Sequence, residues 1–438
     1  MRRSIVTLYD RDVCEAVVSD VEDRLGHEVG SVFRTGFFDT LDRTISMGER
    51  GAFVITGDIP AMWLRDSTAQ LGPYLHVAHA DPLLAATIGA VVVRQLDLLC
   101  SDPYANAFND GPTGDGHQDD LTAMGAGTWE RKYEVDSLCY PLQLAHDLWA
   151  VTGRVAHLAR FGEAARRVIA TWRTEQDHEN RSRYSFRRLD GPPSDTLGRD
   201  GRGGLVAPTG LTWSGFRPSD DACGLGYNVP GNAFAAVVLG HVVTVAREVL
   251  EDEELAVAAD ELRRDLTGAL AVHAVVPHDG DLVYAYEVDG LGGAILMDDA
   301  NIPSLLSLPL IGWCALDDPL YMATRALVLS PANPYYFEGA AASGIGSPHT
   351  PAGSVWPIAL AVQGLTARDA AEKARLLDVL VRSAAGTGRM HESFSCGDPT
   401  QYTRPWFSWA DSMFCELAMD VAGLRTYQRA PSRGGVRT

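Results

Sequence analysis

Apolar residues along this chain recur at three- and four-residue steps rather than in alternation. Over residues 14–38, Val17, Val18, Val21, Leu25, Val29, Val32 and Phe33 fall on one helical face. The stretches 82–100, 142–174, 233–270, 354–385 and 409–424 keep the same period. Alternating Val/Thr/Tyr runs, the mark of half-buried strands, are nearly absent, and the best short candidate is 283–287. The pattern predicts an all-α protein.

Between the helical stretches lie six segments of another kind: 56–74, 128–141, 208–232, 297–309, 333–356 and 390–407. They are rich in Gly, Pro, Trp, Asp and Arg, and too apolar for flexible linkers. Their spacing of roughly 40 to 90 residues is the span of a helical hairpin plus a loop. Six hairpins closed into a ring would bring all six loops to one end. The polar stretch 175–204, with its paired arginines, Gly and Pro, reads as a surface excursion near the mouth of that end. With no other linker visible, one domain is expected over 1–438.

Composition narrows the function classes. With 438 residues, 46% hydrophobic and 21% charged, the chain can bury a large core. No apolar run approaches the ~18 residues of a membrane span. The basic start meets Asp10, Arg11 and Asp12 before an apolar region develops, so no signal peptide is expected. Seven cysteines (14, 100, 139, 223, 314, 396 and 415) lack a Cys-x-x-Cys pair, which predicts neither disulfide framework nor zinc site and a cytoplasmic location. A formal charge of −20 argues against nucleic acid or anionic membrane as partners. It suits a neutral substrate held by carboxylates and aromatic rings, although solubility alone would explain it equally well.

Three of the loops carry the chemistry. The first reads TGDIPAMWLRDSTAQ, interleaving Asp58, Arg65 and Asp66 with Trp63. Carboxylates accept from vicinal hydroxyls, a guanidinium donates in a fork, and an indole packs on the apolar face of a pyranose. The competing reading is a structural Arg–Asp pair capping a helix. The third loop, TWSGFRPSDDA, places Asp220 and Asp221 after a proline. Adjacent side chains cannot both face one way, so one would perform chemistry while the other caps a helix or orients a partner. In the sixth loop, RMHESF followed by TRPWFSW, Glu392 stands among His391, Trp406, Phe407 and Trp409, a setting for a carboxylate that activates water. Two acids from distant loops in one cleft meet the requirement of glycoside hydrolysis. No Gly-x-Ser-x-Gly elbow, His-Glu-x-x-His or phosphate-binding glycine loop is present. His117, His273, His278 and His349 show no ligand spacing and read as structural or peripheral.

The blocks TGDIPAMWLRDS, WERKYEVDSLCYP, GLTWSGFRPSDDA, MDDANIPSLLSLP, NPYYFEG and MHESF…TRPWFSWADS resemble glycoside hydrolase family 125, the exo-α-1,6-mannosidases, over about residues 30–425. The resemblance implies an (α/α)6 barrel, an inverting mechanism, an α-mannoside oligosaccharide substrate, and neither metal nor cofactor. It places the general acid in Ser219-Asp220-Asp221, at Asp220 or one residue on, and the general base at Glu392. Arg65, Asp66 and Arg404 then look like grips on the terminal mannose. Asp298, Asp299 and Trp356 are implied to line or support the same pocket. Gly231 departs from the bulkier polar residue expected after Pro230.

Two rivals keep other classes open. A glucoamylase-like hydrolase or sugar epimerase could use the same toroid, and an epimerase would need paired proton-shuttling histidines. A carbohydrate-binding protein without catalysis would need no water-activating Glu392. Oligomeric state is not encoded in any motif.

Overall fold

The computed structural model describes residues 7–48 and 50–427. Four of the long periodic stretches each resolve into two antiparallel helices. Residues 14–38 become Arg11–Leu25 and His27–Asp39, broken at Gly26 with φ of 89°. Val135–Thr152 ends on Gly153 in the left-handed conformation, and Phe161–Glu175 follows. Val229–Glu248 and Glu253–His273 are separated by a turn in which Asp252 caps the second helix through Leu255 N–H. Pro357–Leu365 and Ala370–Ser383 are divided likewise, with Asp369 as cap. The apolar stripe runs through each break because both arms face the same core; caps, rather than polarity, mark the ends.

The arms form two rings. Among the described residues the inner ring consists of Leu64–Ala69 with Gly72–Leu75, Val135–Thr152, Val229–Glu248, the irregular turns 302–313, Pro357–Leu365 and Ser408–Val421. Outside them lie His27–Asp39, Pro82–Ser101, Phe161–Glu175, Glu253–His273, Pro319–Val328 and Ala370–Ser383. Ser408–Val421 packs on both Pro357–Leu365 and Leu64–Ala69, which joins the end of the chain to its start. The fold is therefore an (α/α)6 barrel. Trp172, Trp213, Trp313 and Trp409 are fully buried in its core, each contributing at least ~2 kcal/mol of apolar burial.

Every loop singled out in the sequence runs into the N-terminal end of an inner segment, so all six meet at one end of the barrel. Short strand pairs lace them together. Met62–Trp63, Ala107–Phe108 and Thr128–Glu130 form one small sheet, and Ser354–Val355, Ser393–Ser395 and Tyr402–Thr403 another. An isolated bridge, Gly57 to Phe407, ties the first loop to the sixth. Gly57 has φ of 122°, and a Cβ there would press on Trp406 at 3.3 Å, so the position requires glycine.

Three sequence expectations are corrected. Residues 128–141 are not wholly loop: the inner helix begins at Val135 and carries Pro141 in its interior, tertiary packing outweighing the ~3 kcal/mol penalty of an interior proline. Pro82–Ser101 and Val229–Glu248 are long and apolar enough to cross a membrane by length and composition, with mean hydropathy of 1.7 and 1.6, but 61% and 78% of their apolar windows are buried inside the barrel. The candidate strand 283–287 is split, Val283 and Tyr284 closing a hairpin with Val275 and Val276, and Glu287 pairing in a separate three-stranded sheet. Gly231 also gains a reason. Its N–H is capped by Asn228 Oδ1 at 2.8 Å, and a Cβ would meet that oxygen at 2.9 Å.

Segment 175–204 folds into the short turns His178–Arg181, Pro193–Asp195 and Gly198–Gly201. Its contacts run to the loops at the inner-helix N-termini: Ser194 O accepts from Ala222 N at 2.7 Å, and Asp195 accepts from Lys132 at 2.8 Å.

Candidate active site

A pocket of about 310 Å³ opens at this end of the barrel. The first loop lines it with Trp63, Arg65 and Asp66, the third with Asp220, the fourth with Asn301, the fifth with His349 and Trp356, and the sixth with Glu392 and Arg404. The second loop works from beneath, through Arg65.

Arg65 stands in the first turn of Leu64–Ala69, with its side chain only 3% exposed. Nη1 donates to Glu134 Oε2 at 2.7 Å and to Asp136 Oδ2 at 3.1 Å, while Nη2 donates to Asp220 Oδ1 at 2.8 Å. Asp66 lies 3.8 Å from Nε. Four carboxyls thus surround one buried cation. The inner helices present their N-termini here, where partial positive charge favours acids in the first turn such as Asp66 and Asp136.

Burial drives the titration of this cluster. It pushes Asp66 up to about 6, against the pull of Arg65 and with help from Asp220. Asp136 also rises to about 6 by burial, again opposed by Arg65. Burial lifts Glu134 well above the carboxylate range, with Arg65 opposing and Asp220 adding to the rise. Asp220 is the exception. Burial raises it too, but Arg65, a hydrogen bond from Glu134 and Lys132 together hold it below the usual range.

The third loop turns tightly, Asp220 N donating to Arg217 O at 3.0 Å and Arg217 N to Asp221 O at 2.7 Å. Asp220 takes φ of 68°, a left-handed conformation that Asp tolerates better than most residues, and this aims its side chain at Arg65 and the pocket. Asn106 Nδ2 reaches the same oxygen at 3.3 Å, and Lys132 Nζ holds the Asp220 carbonyl at 2.7 Å. Asp221 points the other way. It is buried off the pocket wall, accepts from Ser219 at 3.3 Å, and lies 3.6 Å from His349 Nδ1. Burial lowers His349, but Asp221 and the charges of Asp220 and Glu392 outweigh it and raise the imidazole to about 9.

Across the pocket, Glu392 is nearly buried and accepts from Arg404 Nη1 at 3.4 Å. Arg404, with φ of 35°, also donates to Thr56 at 3.2 Å, forks onto Asp58, and stacks its guanidinium 4.5 Å from the Phe407 ring. Trp356 donates its indole N–H to Thr350 at 2.8 Å and meets Phe407 edge-on. Indole and phenyl rings beside carboxylates and a guanidinium make a surface that fits a pyranose.

The structure thus brings Trp63, Arg65, Asp66, Asp220, Trp356, Glu392 and Arg404 together in the lining of one pocket. Asp58 sits at the exposed rim, held by Arg404. Asp298 and Asp299 lie behind the wall. Asp298 accepts from Leu305 N and Leu306 N at 2.8 and 2.9 Å, and Asp299 holds Asn301, which does line the pocket. Sequence reasoning missed Glu134, Asp136, Asn106, Lys132 and Asn301. It also set His349 aside as structural or peripheral, whereas the residue lines the pocket. His391 faces away, its Nδ1 against Pro405 O at 3.1 Å and its ring stacked on Tyr402.

Fold and pocket together define a glycoside hydrolase. Residues 26–419 match the family described as metal-independent alpha-mannosidase (GH125), and the chain belongs to that family. It is 48% identical to a Streptococcus pneumoniae protein of a family of metal-independent alpha mannosidases, solved as a non-productive substrate complex with alpha-1,6-mannobiose. The match covers 96% of this chain and 100% of that one, with a TM-score of 0.94. A Schizosaccharomyces pombe protein, meiotically up-regulated gene 157 protein, is 39% identical over 95% of this chain and 86% of its own length. A glycosidase variant solved with glucose shares the fold alone, at 14% identity and a TM-score of 0.55 over 93% of this chain and 98% of its own.

Proposed function

We propose that this chain is an exo-acting mannosidase that removes terminal α-1,6-linked mannose by inverting, single-displacement hydrolysis. The observation that carries the reading is the convergence of Asp220 and Glu392, from the third and sixth loops, on one pocket. Asp220 protonates the leaving glycosidic oxygen while Glu392 takes a proton from the water that attacks C1 from the opposite face. That geometry calls for carboxyls roughly 6.5–9.5 Å apart, leaving room for the water. Arg404, donating to Glu392, holds its carboxyl at the pocket. Asp66 and Arg404 grip sugar hydroxyls, and Trp63 and Trp356 receive the apolar ring face. The 1,6 linkage is supported by the disaccharide bound to the pneumococcal relative. An epimerase would need two facing imidazoles, whereas the pocket offers His349 with His391 turned away. A binding protein would gain nothing from Glu392. Seven free thiols support a reducing, cytoplasmic setting.

The test uses α-1,6-mannobiose with NMR of the first anomer released, and β-mannose is expected. Glu392→Gln should abolish turnover of every substrate. Asp220→Asn should nearly eliminate mannobiose hydrolysis yet spare part of the activity on an aryl mannoside, whose phenolate leaves without a proton. Asp221→Asn should retain both. Release of α-mannose would overturn inversion. Mannobiose cleavage near the wild-type rate by Asp220→Asn would overturn the acid.

A further inference from the structure

We propose that Glu134 is the proton-sharing partner of Asp220: the two carboxyls, held side by side on Arg65, keep one proton between them and deliver it to the glycosidic oxygen through Asp220. The inference rests on Asp220 being the general acid, as proposed above. Glu134 has no place on the pocket wall and acts through Asp220, so it is a positioning residue.

Arg65 Nη1 holds Glu134 Oε2 at 2.7 Å and Nη2 holds Asp220 Oδ1 at 2.8 Å, so one planar guanidinium sets the two carboxyls next to each other. Ser137 Oγ donates to the same Glu134 oxygen at 2.6 Å. The other oxygen, Oε1, is buried and receives no N–H or O–H. A buried carboxylate oxygen without a donor is costly, whereas a carboxylic acid there becomes a donor and Asp220 is its acceptor. The Glu134 side chain is 0% exposed, while Asp220 is 23% exposed and faces the pocket, so the proton's way out leads through Asp220.

Charge supports the same picture. Asp66, Glu134, Asp136 and Asp220 all lie within 3.8 Å of Arg65, and full ionisation would leave a large buried negative excess around one cation. Lys132 meets Asp220 at its carbonyl, the charge of His349 acts on it from the pocket lining, and Tyr184 lies near Glu134. Burial and Asp220 hold Glu134 protonated far above the ordinary range, while Arg65 and the Glu134 hydrogen bond draw Asp220 down. In the free enzyme the proton therefore resides on Glu134. When substrate binds, the proton shifts to Asp220, whose O–H bond breaks as the C1–O bond breaks. The leaving oxygen keeps the proton, Glu392 gains one from the attacking water, and the carboxyl pair regains one from solvent after product leaves.

Glu134→Gln tests this. The amide can still accept from Arg65, but it donates N–H to Asp220 and so stabilises the ionised acid. The alkaline limb of the mannobiose kcat/KM profile should move down by at least about one pH unit, and kcat at pH 7 should fall about a hundredfold. KM should change less than about threefold, and the aryl mannoside should keep most of its rate. An unmoved limb, or equal losses on both substrates, would overturn the proposal. Should the variant not fold, the wild-type profile decides: loss of mannobiose turnover already below pH 5, with the aryl mannoside unaffected, means that no proton is shared. If Asp220→Asn shows aryl-selective rescue while Glu134→Gln leaves the limb in place, only this inference fails. If Asp220→Asn cleaves mannobiose normally, the acid itself is wrong.

Discussion

Replacing Arg65 with methionine removes the one cation at the centre of four carboxyls while keeping an unbranched side chain of similar reach. Arg65 is 3% exposed, bonded to Glu134, Asp136 and Asp220 at 2.7, 3.1 and 2.8 Å, so little of this interaction is screened by solvent. Breaking a buried ion pair from one side costs about 3–5 kcal/mol. The stranded carboxyls can relieve part of that by taking up protons, each unit of pKa rise corresponding to about 1.4 kcal/mol. Asp66 and Asp136 already stand at about 6 through burial with Arg65 present, and both rise further without it. A carboxyl whose folded pKa lies above its unfolded value contributes stability that is full below the unfolded pKa, near 4, and lost as pH climbs through the folded one. Arg65→Met should therefore lie closest to wild type near pH 4 and be about 3–5 kcal/mol less stable at pH 8. Over 438 residues, an unfolding entropy of ~2.1 cal/mol/K per residue converts that to a Tm lowered by roughly 3–5 °C. Calorimetry at pH 4.5 and 8 measures it. A Tm difference that is equal at the two pH values, or larger in acid, refutes the account of Arg65 as the charge that draws the carboxyls of this cluster down against burial.

The remaining predictions concern the pocket wall and the absence of a metal requirement. Asp298→Ala strands the Leu305 and Leu306 N–H groups in the core and should cost about 2–4 kcal/mol, read as a lower urea midpoint; a change below about 0.5 kcal/mol, the size of an ordinary surface substitution, would mean that those turns do not depend on it. His349, held at about 9 by Asp221, gains stability that is fully present below about 6.5 and disappears as pH rises through 9. His349→Gln should accordingly destabilise most at pH 6 and least at pH 9.5, and the opposite trend in thermal melts would show the ring to be neutral. Activity on α-1,6-mannobiose should survive EDTA, as expected for a member of a family of metal-independent mannosidases; a loss reversed by calcium or zinc would count against Asp66 and Arg404 as sufficient grips.

Much of this protein is written locally. Helical periodicity, breaks at Gly26 and Gly153, and caps at Asp252 and Asp369 are short-range signals, so the helices and their pairing into hairpins follow from the chain. The six loops betrayed themselves by Trp, Asp and Arg where a linker would be polar and plain. The pair Asp220 and Asp221, and Glu392, were legible as acids set in loops among aromatic residues. What the chain could not disclose is which of two neighbouring acids faces inward. That is decided by the φ of 68° at Asp220, which turns one carboxyl to Arg65 and leaves Asp221 behind the wall with His349. Glu134 and Asp136 stand in the block WERKYEVDSLCYP beside Glu130, Arg131 and Lys132, where nothing local marks which charges meet Arg65. Their role arises from closing the ring, which sets them 69 and 71 residues from Arg65 along the chain but within hydrogen-bond reach of it. Asp298 and Asp299 show another side: the resemblance implied that they line or support the pocket, and backbone N–H groups 7 and 8 residues away hold the Asp298 carboxyl behind the wall. Sequence fixes periodicity, caps and residue chemistry because these act over a few residues. Orientation, burial and the shifts of pKa that follow depend on charges brought together from distant loops, and only the closed barrel supplies those.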